Sequence, residues 1–129
     1  MIEVCNLKKT FDGRTVLHDV SAVFGSGQCN MIIGKSGSGK TVLLKNLIGL
    51  MSPDGGDILY DGESLVAMDY ECRKVLHRNI GILFQGSALF DFATVLENVM
   101  FPLDFFTSWS KAQKIERARF CLDKVNNKD

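Results

Sequence analysis

Apolar positions fall at two different spacings along the chain, and the spacing divides it into strands and helices. Stretches 2–7 and 15–24 are β-rich and are separated by a segment containing Asp12-Gly13, which predicts an antiparallel hairpin. Met31, Ile32 and Ile33 form a short apolar run of the kind that makes a buried strand. Residues 41–48 have helical apolar spacing, and Ser52-Pro53-Asp54-Gly55-Gly56 ends that helix. A strand is predicted over 57–60, closed by Asp61-Gly62, and then a helix capped by Asp69 and running to about His77. Residues 80–84 read as a second buried apolar strand, ending at Gln85-Gly86. Thr94 is placed to cap a helix bearing Val95, Leu96, Val99 and Met100 and stopped by Pro102. Ser110 is placed to cap a last helix carrying Ala112, Ile115, Ala118, Arg119 and Leu122.

Between the 31–33 run and the first helix lies Gly34-Lys35-Ser36-Gly37-Ser38-Gly39-Lys40-Thr41, which satisfies the pattern G-x-x-x-x-G-K-[ST]. The glycines allow a tight turn that aims several backbone N–H groups at one point, and the helix behind it adds its positive end. Such a nest suits phosphate. Lys40 can reach the β- and γ-phosphates of a nucleotide, and the Thr41 hydroxyl can ligate a bridging Mg²⁺. The expected ligand is a nucleoside triphosphate with magnesium. The motif alone does not distinguish kinases, GTPases and ATPases, which share it.

Composition narrows the partners. Fifteen basic and fifteen acidic residues cancel, so no global field steers the chain to nucleic acid or to an anionic membrane. Cys5, Cys29, Cys72 and Cys121 are scattered without a C-x-x-C pair, against a zinc site or disulfide framework and in keeping with reduced thiols in a cytoplasmic protein. No apolar run approaches the length of a transmembrane helix, so a soluble chain with at most an indirect membrane role is expected.

The succession of Phe11-Asp12-Gly13, Val16-Leu17-His18-Asp19-Val20-Ser21, the phosphate loop, Pro53-Asp54-Gly55-Gly56-Asp57-Ile58 and Leu83-Phe84-Gln85 resembles the first half of an ATP-binding-cassette (ABC) ATPase. The resemblance implies an α/β phosphate-loop NTPase fold of the ABC type with an N-terminal antiparallel β subdomain. It divides the chain into a β subdomain (1–30), part of the phosphate-loop core (31–85) and the start of a helical subdomain (86–129). Within the family, Ser87-Ala88-Leu89-Phe90-Asp91 followed by Thr94-Val95-Leu96-Glu97-Asn98-Val99 is similar to the ATPases of Mla-type phospholipid-trafficking transporters.

The resemblance also implies roles. Phe11 stands where the family stacks an aromatic on adenine, although a hairpin aromatic can equally pack on its own strands. Gln85 stands at the glutamine-loop position, as a Mg²⁺ ligand and mobile contact residue. Lys35, Ser36, Ser38 and Val42 complete the nucleotide-binding set with Gly34, Gly37, Gly39, Lys40 and Thr41. The apolar segment 86–106 corresponds to the region facing the transporter's membrane subunit, and these side chains are also suited to pack the helical subdomain's own core. Expected partners are transmembrane permease subunits and, at full length, a second copy of the domain, with the protein peripheral on the cytoplasmic face of the membrane.

Val99-Met100-Phe101-Pro102-Leu103-Asp104 imitates a Walker B strand, but Pro102 interrupts it and Phe105 stands where the catalytic Glu belongs. Neither His18 nor His77 fits the switch histidine. With no signature motif, Walker B strand, catalytic Glu or switch His, no catalytic set is complete. The expectation is therefore a truncated reading frame, partial gene or fragment that binds ATP without efficient hydrolysis. Its apolar runs at 32–33 and 80–84 are expected to lie uncovered beside a sheet edge. A non-catalytic nucleotide-binding module is the alternative.

Overall fold

The structure, a computed structural model, describes residues 1–86 and 88–125. Two compact units follow one another, Met1–Gly81 and Ile82–Asp129.

The first unit is built on an antiparallel sheet of order β2-β1-β3-β4, with β1 at Ile2–Phe11, β2 at Arg14–Phe24, β3 at Gly55–Tyr60 and β4 at Glu63–Ser64. The β1–β2 hairpin turns through Asp12 and Gly13, both with positive φ (45° and 78°), a conformation whose twist matches that of the strands it joins. β3 packs so closely on β1 that a Cβ on Gly56 would clash with the carbonyl oxygens of Cys5 and Asn6. With φ at +81°, that position accepts only glycine without strain.

Helix α1 (Lys40–Leu47) lays Leu43 and Leu47 against Val4, Leu7, Leu17, Ile58 and Leu65, which together form the buried core. Helix α2 (Tyr70–Arg78) is capped as its sequence predicts, Asp69 accepting from the Cys72 amide at 2.8 Å. His77 Nε2 lies 2.8 Å from the Ile48 carbonyl and so joins α2 to the end of α1.

The second unit contains α3 (Val95–Phe106) and α4 (Lys111–Lys124), each started by a full capping box: Thr94 with Glu97, and Ser110 with Gln113. Asn98 fastens the preceding loop, its amide donating to the carbonyls of Phe90 and Ala93 while its oxygen accepts from the Phe90 N–H. Lys114 Nζ reaches Asp104 Oδ1 at 2.8 Å between the two helices.

Three predicted elements come out differently. Residues 31–33 and 80–84 are not strands: no strand among the described residues pairs with them. A parallel strand exists only through its neighbours, since its backbone groups have no partner within the segment. Ile33 is 84% and Leu83 95% exposed, whereas Ile32 packs against the core of the first unit and Ile80 is half-buried. Pro102 does not stop its helix, which continues to Phe106. Proline removes only the bond from its own nitrogen to the Asn98 carbonyl, and the bonding resumes through Thr107 N–H to Leu103 at 3.1 Å.

Candidate functional site

The site grows out of the hairpin and the first turn of α1. The turn at Asp12-Gly13 places Phe11, the last residue of β1, opposite Arg14, the first of β2. The phosphate loop comes up against the same strands because Gly39 has no side chain: a Cβ there would meet Val16 Cγ1 at 3.0 Å and Leu17 Cδ2 at 3.2 Å. Its φ of +92° and that of Gly37, +76°, are the turns that the loop's glycines were expected to supply.

These pieces enclose an open cavity of about 560 Å³ lined by Phe11, Arg14, Thr15, Val16 and His18 on the hairpin side and by Gly37, Ser38, Gly39, Lys40, Thr41 and Val42 on the loop side. An aromatic ring at one wall and a glycine-rich helix start at the other give the cavity two chemically distinct ends. Arg14 and Lys40 supply positive charge, and no carboxylate is among the lining residues, so the cavity suits an anion.

Lys40 Nζ donates to the carbonyls of Gly34 and Lys35, both at 2.8 Å, which holds the ammonium against the loop. The loop is closed further by Ser38 N–H to Lys35 O at 3.2 Å, and a Cβ on Gly34 would lie 2.6 Å from Ser38 Oγ. Thus Gly34 and Lys35 belong to the loop through their backbone, whereas Ser36 is an exposed turn residue outside the cavity lining. Thr41 is exposed on the first turn of α1 and lines the cavity beside Lys40.

Phe11 is 39% exposed and lines the cavity. Lys9 Nζ lies over its ring, 5.6 Å from the centroid. Gln85 is exposed and belongs to the second unit. Ser87, from the segment that suggests a lipid transporter, lies outside the described residues.

Four lining residues, Arg14, Thr15, Val16 and His18, had no assigned role in the sequence. The Asp-Gly turn carried the signal: a two-residue hairpin loop fixes the register and folds 14–18 back along 7–11. No group of three or more His, Cys, Asp and Glu among the described residues could hold a metal ion. The Thr41 hydroxyl, on the first turn of α1 beside Lys40, is an oxygen donor that could ligate a Mg²⁺ ion at the cavity.

Fold and site together define a phosphate-loop nucleotide-binding domain joined to an antiparallel β subdomain. The ABC transporter family profile matches residues 17–129, and the chain belongs to that family. It is 33% identical over its whole length to the methionine import ATP-binding protein MetN of Legionella pneumophila (strain Lens), of which it covers 38%. It is 36% identical over 79% of its length to the probable ribonucleotide transport ATP-binding protein mkl of Mycobacterium tuberculosis (strain CDC 1551 / Oshkosh), covering 28% of that protein. With the sulfate/thiosulfate import ATP-binding protein CysA of Pseudomonas syringae pv. tomato (strain ATCC BAA-871 / DC3000) it shares 41% identity over 79% of its length, covering 30% of the relative.

Among solved structures, the ATP-binding cassette MJ0796, a dimer in a post-hydrolysis state bound to ADP and Pi, superposes with a TM-score of 0.85 at 30% identity over 98% of this chain. The chain spans 57% of that structure and about a third of these curated relatives. The relatives' names include methionine import, ribonucleotide transport and sulfate/thiosulfate import, so the similarity supports transport ATP-binding proteins generally and does not single out the phospholipid-trafficking group. No helix among the described residues is long and apolar enough to cross a membrane.

Proposed function

We propose that the chain is the nucleotide-binding front part of the ATP-binding subunit of an ABC transporter, and that its cavity takes Mg²⁺–ATP. One observation carries this: a single cavity has Phe11 at one wall and Gly37 to Thr41 at the other. In this reading adenine stacks on Phe11, and the phosphates lie on the backbone of Gly34, Lys35, Ser36, Gly37, Ser38 and Gly39 with the Lys40 ammonium beside them. Thr41 supplies the Mg²⁺ ligand from this unit, and Val42 continues the helix start below the phosphates. A Mg²⁺ ion held there would supply charge neutralisation to the triphosphate. Gln85 as a further Mg²⁺ ligand rests on the family resemblance. The chain's own residues bind and orient the triphosphate.

The partners of this reading are transmembrane permease subunits on the cytoplasmic side of a membrane and a second copy of the domain, with no nucleic acid. The dimeric cassette supports the second copy. Phospholipid as the cargo rests on the residues around Leu89, Phe90 and Asp91. In the assembled transporter that reading predicts ATP turnover stimulated by phospholipid and unaffected by methionine or sulfate.

Binding is tested by titrating the chain with a fluorescent ATP analogue in Mg²⁺. Lys40→Ala removes charge-assisted contacts to phosphate and is expected to weaken binding about 100-fold. A wild-type chain without measurable affinity, or a Lys40→Ala variant that binds as well as wild type, would overturn the reading.

A further inference from the structure

Strand β1 is longer than the neighbour that supports it. Its pairing with β3 ends at Lys8 opposite Gly55, yet β1 runs on to Phe11. Beyond Lys8 the edge of β1 that faced β3 has no strand beside it among the described residues, and Asp54, the residue just before β3, takes over. Its N–H donates to the Lys8 carbonyl at 2.9 Å, its Oδ1 accepts from Lys9 Nζ at 2.8 Å and its Oδ2 accepts from the Thr10 N–H at 2.7 Å. One residue thus holds three consecutive positions of β1, and the next position is Phe11.

The link reaches the ring as well as the backbone. The Lys9 ammonium that Asp54 holds is the one lying over the Phe11 ring. The Lys9 side chain is only 14% exposed, so its course along the strand is fixed by packing as well as by charge. The Lys9 hydrogen bond, and after it the Thr10 amide, hold the Asp54 carboxyl below the ordinary carboxylate range.

We propose that Asp54 is a positioning residue for the base-stacking ring, fixing Phe11 through Lys9 and the Thr10 amide so that the cavity wall is formed before nucleotide arrives. The proposal rests on the ATP reading of the cavity. Its physical basis is preorganisation: a ring whose backbone and one face are already held loses less freedom when a base stacks on it. Asp54 touches the ring support and not the phosphates, so its removal should cost affinity for the base alone.

The experiment measures binding of ATP and of inorganic tripolyphosphate to the 129-residue chain by calorimetry, for wild type, Asp54→Ala, Asp54→Asn and Phe11→Leu. Asp54→Ala is expected to weaken ATP roughly 3- to 10-fold while leaving tripolyphosphate within about two-fold, which also shows that the phosphate loop is folded. Asp54→Asn keeps an acceptor for the Thr10 N–H but releases Lys9, and should fall between Asp54→Ala and wild type. The double variant Phe11→Leu/Asp54→Ala should bind ATP no more weakly than Phe11→Leu alone, because both act through one ring.

Equal ATP affinity in wild type and Asp54→Ala would overturn the proposal. So would equal losses for ATP and tripolyphosphate, or full additivity in the double variant, since a general folding defect gives those results. If the wild-type chain binds neither probe, the ATP reading itself falls and this proposal falls with it. If it binds tripolyphosphate and ATP equally well, the ring contributes nothing: adenine stacking on Phe11 and this proposal are both overturned, while phosphate binding by the loop stands.

Discussion

The two units spend their apolar residues in opposite ways. In Met1–Gly81 the sheet and α1 enclose a common core, with Leu7 and Ile58 completely buried. In Ile82–Asp129 only Met100 and Ala118 are buried hydrophobics among the described residues, while Leu83, Leu89, Phe92, Phe101, Phe105 and Phe120 are exposed. The first unit is therefore held by burial, and the second by local devices: two capping boxes, the Asn98 clasp and the Lys114–Asp104 pair. Exposed aromatic surface of that density fits a surface meant to be covered.

The sharpest way to break this comparison is one kind of truncation made in each unit. Leu7→Ala is expected to cost about 2–5 kcal/mol, because a fully enclosed site cannot collapse around the lost atoms. Phe92→Ala, at a side chain 84% exposed, should stay within about 0.5 kcal/mol. Urea denaturation of both variants checks this; equal losses would mean that the second unit has a core of its own.

A smaller effect sharpens the local half of the comparison. Ser110→Ala removes the acceptor for the Gln113 N–H and should cost α4 about 1 kcal/mol, read as lost amide-exchange protection across Lys111–Lys124. Ser110→Asp should restore most of it.

The smallest effect depends on pH and uses the two capping boxes against each other. Glu97 accepts from the Thr94 N–H and hydroxyl, both at 2.8 Å, and these bonds hold its carboxyl below the ordinary value, the backbone bond contributing most. A folded-state pKa that is lowered gives stability that is complete above the ordinary Glu value, about 4.3, and lost as pH falls through the lowered one. Gln113 makes the matching bonds to Ser110 and does not titrate. Cα chemical shifts at the start of α3 should therefore move toward coil in acid, while those at the start of α4 stay. Glu97→Gln should abolish the difference.

Legibility in the sequence followed the range of the interaction. The Asp12-Gly13 turn, the caps at Asp69, Thr94 and Ser110 and the loop from Gly34 to Thr41 are each decided within a few residues, and each formed where the sequence placed it. The loop's closeness to Phe11 was accessible only through the family resemblance, since 23 or more residues separate the two in the chain.

What the sequence by itself determined is where the chain turns, where helices begin and which residue types can hold a phosphate, because those depend on backbone geometry and near neighbours. The tertiary structure decided the rest. It left 31–33 and 80–84 unpaired, because strand formation depends on neighbours that the segment does not contain. It carried α3 through Pro102, because one lost hydrogen bond does not outweigh a helix anchored on both sides of it. It brought Asp54 to Lys9 and Thr10 across 44 to 45 positions, a meeting set by the register of β1 on β3 rather than by any local pattern.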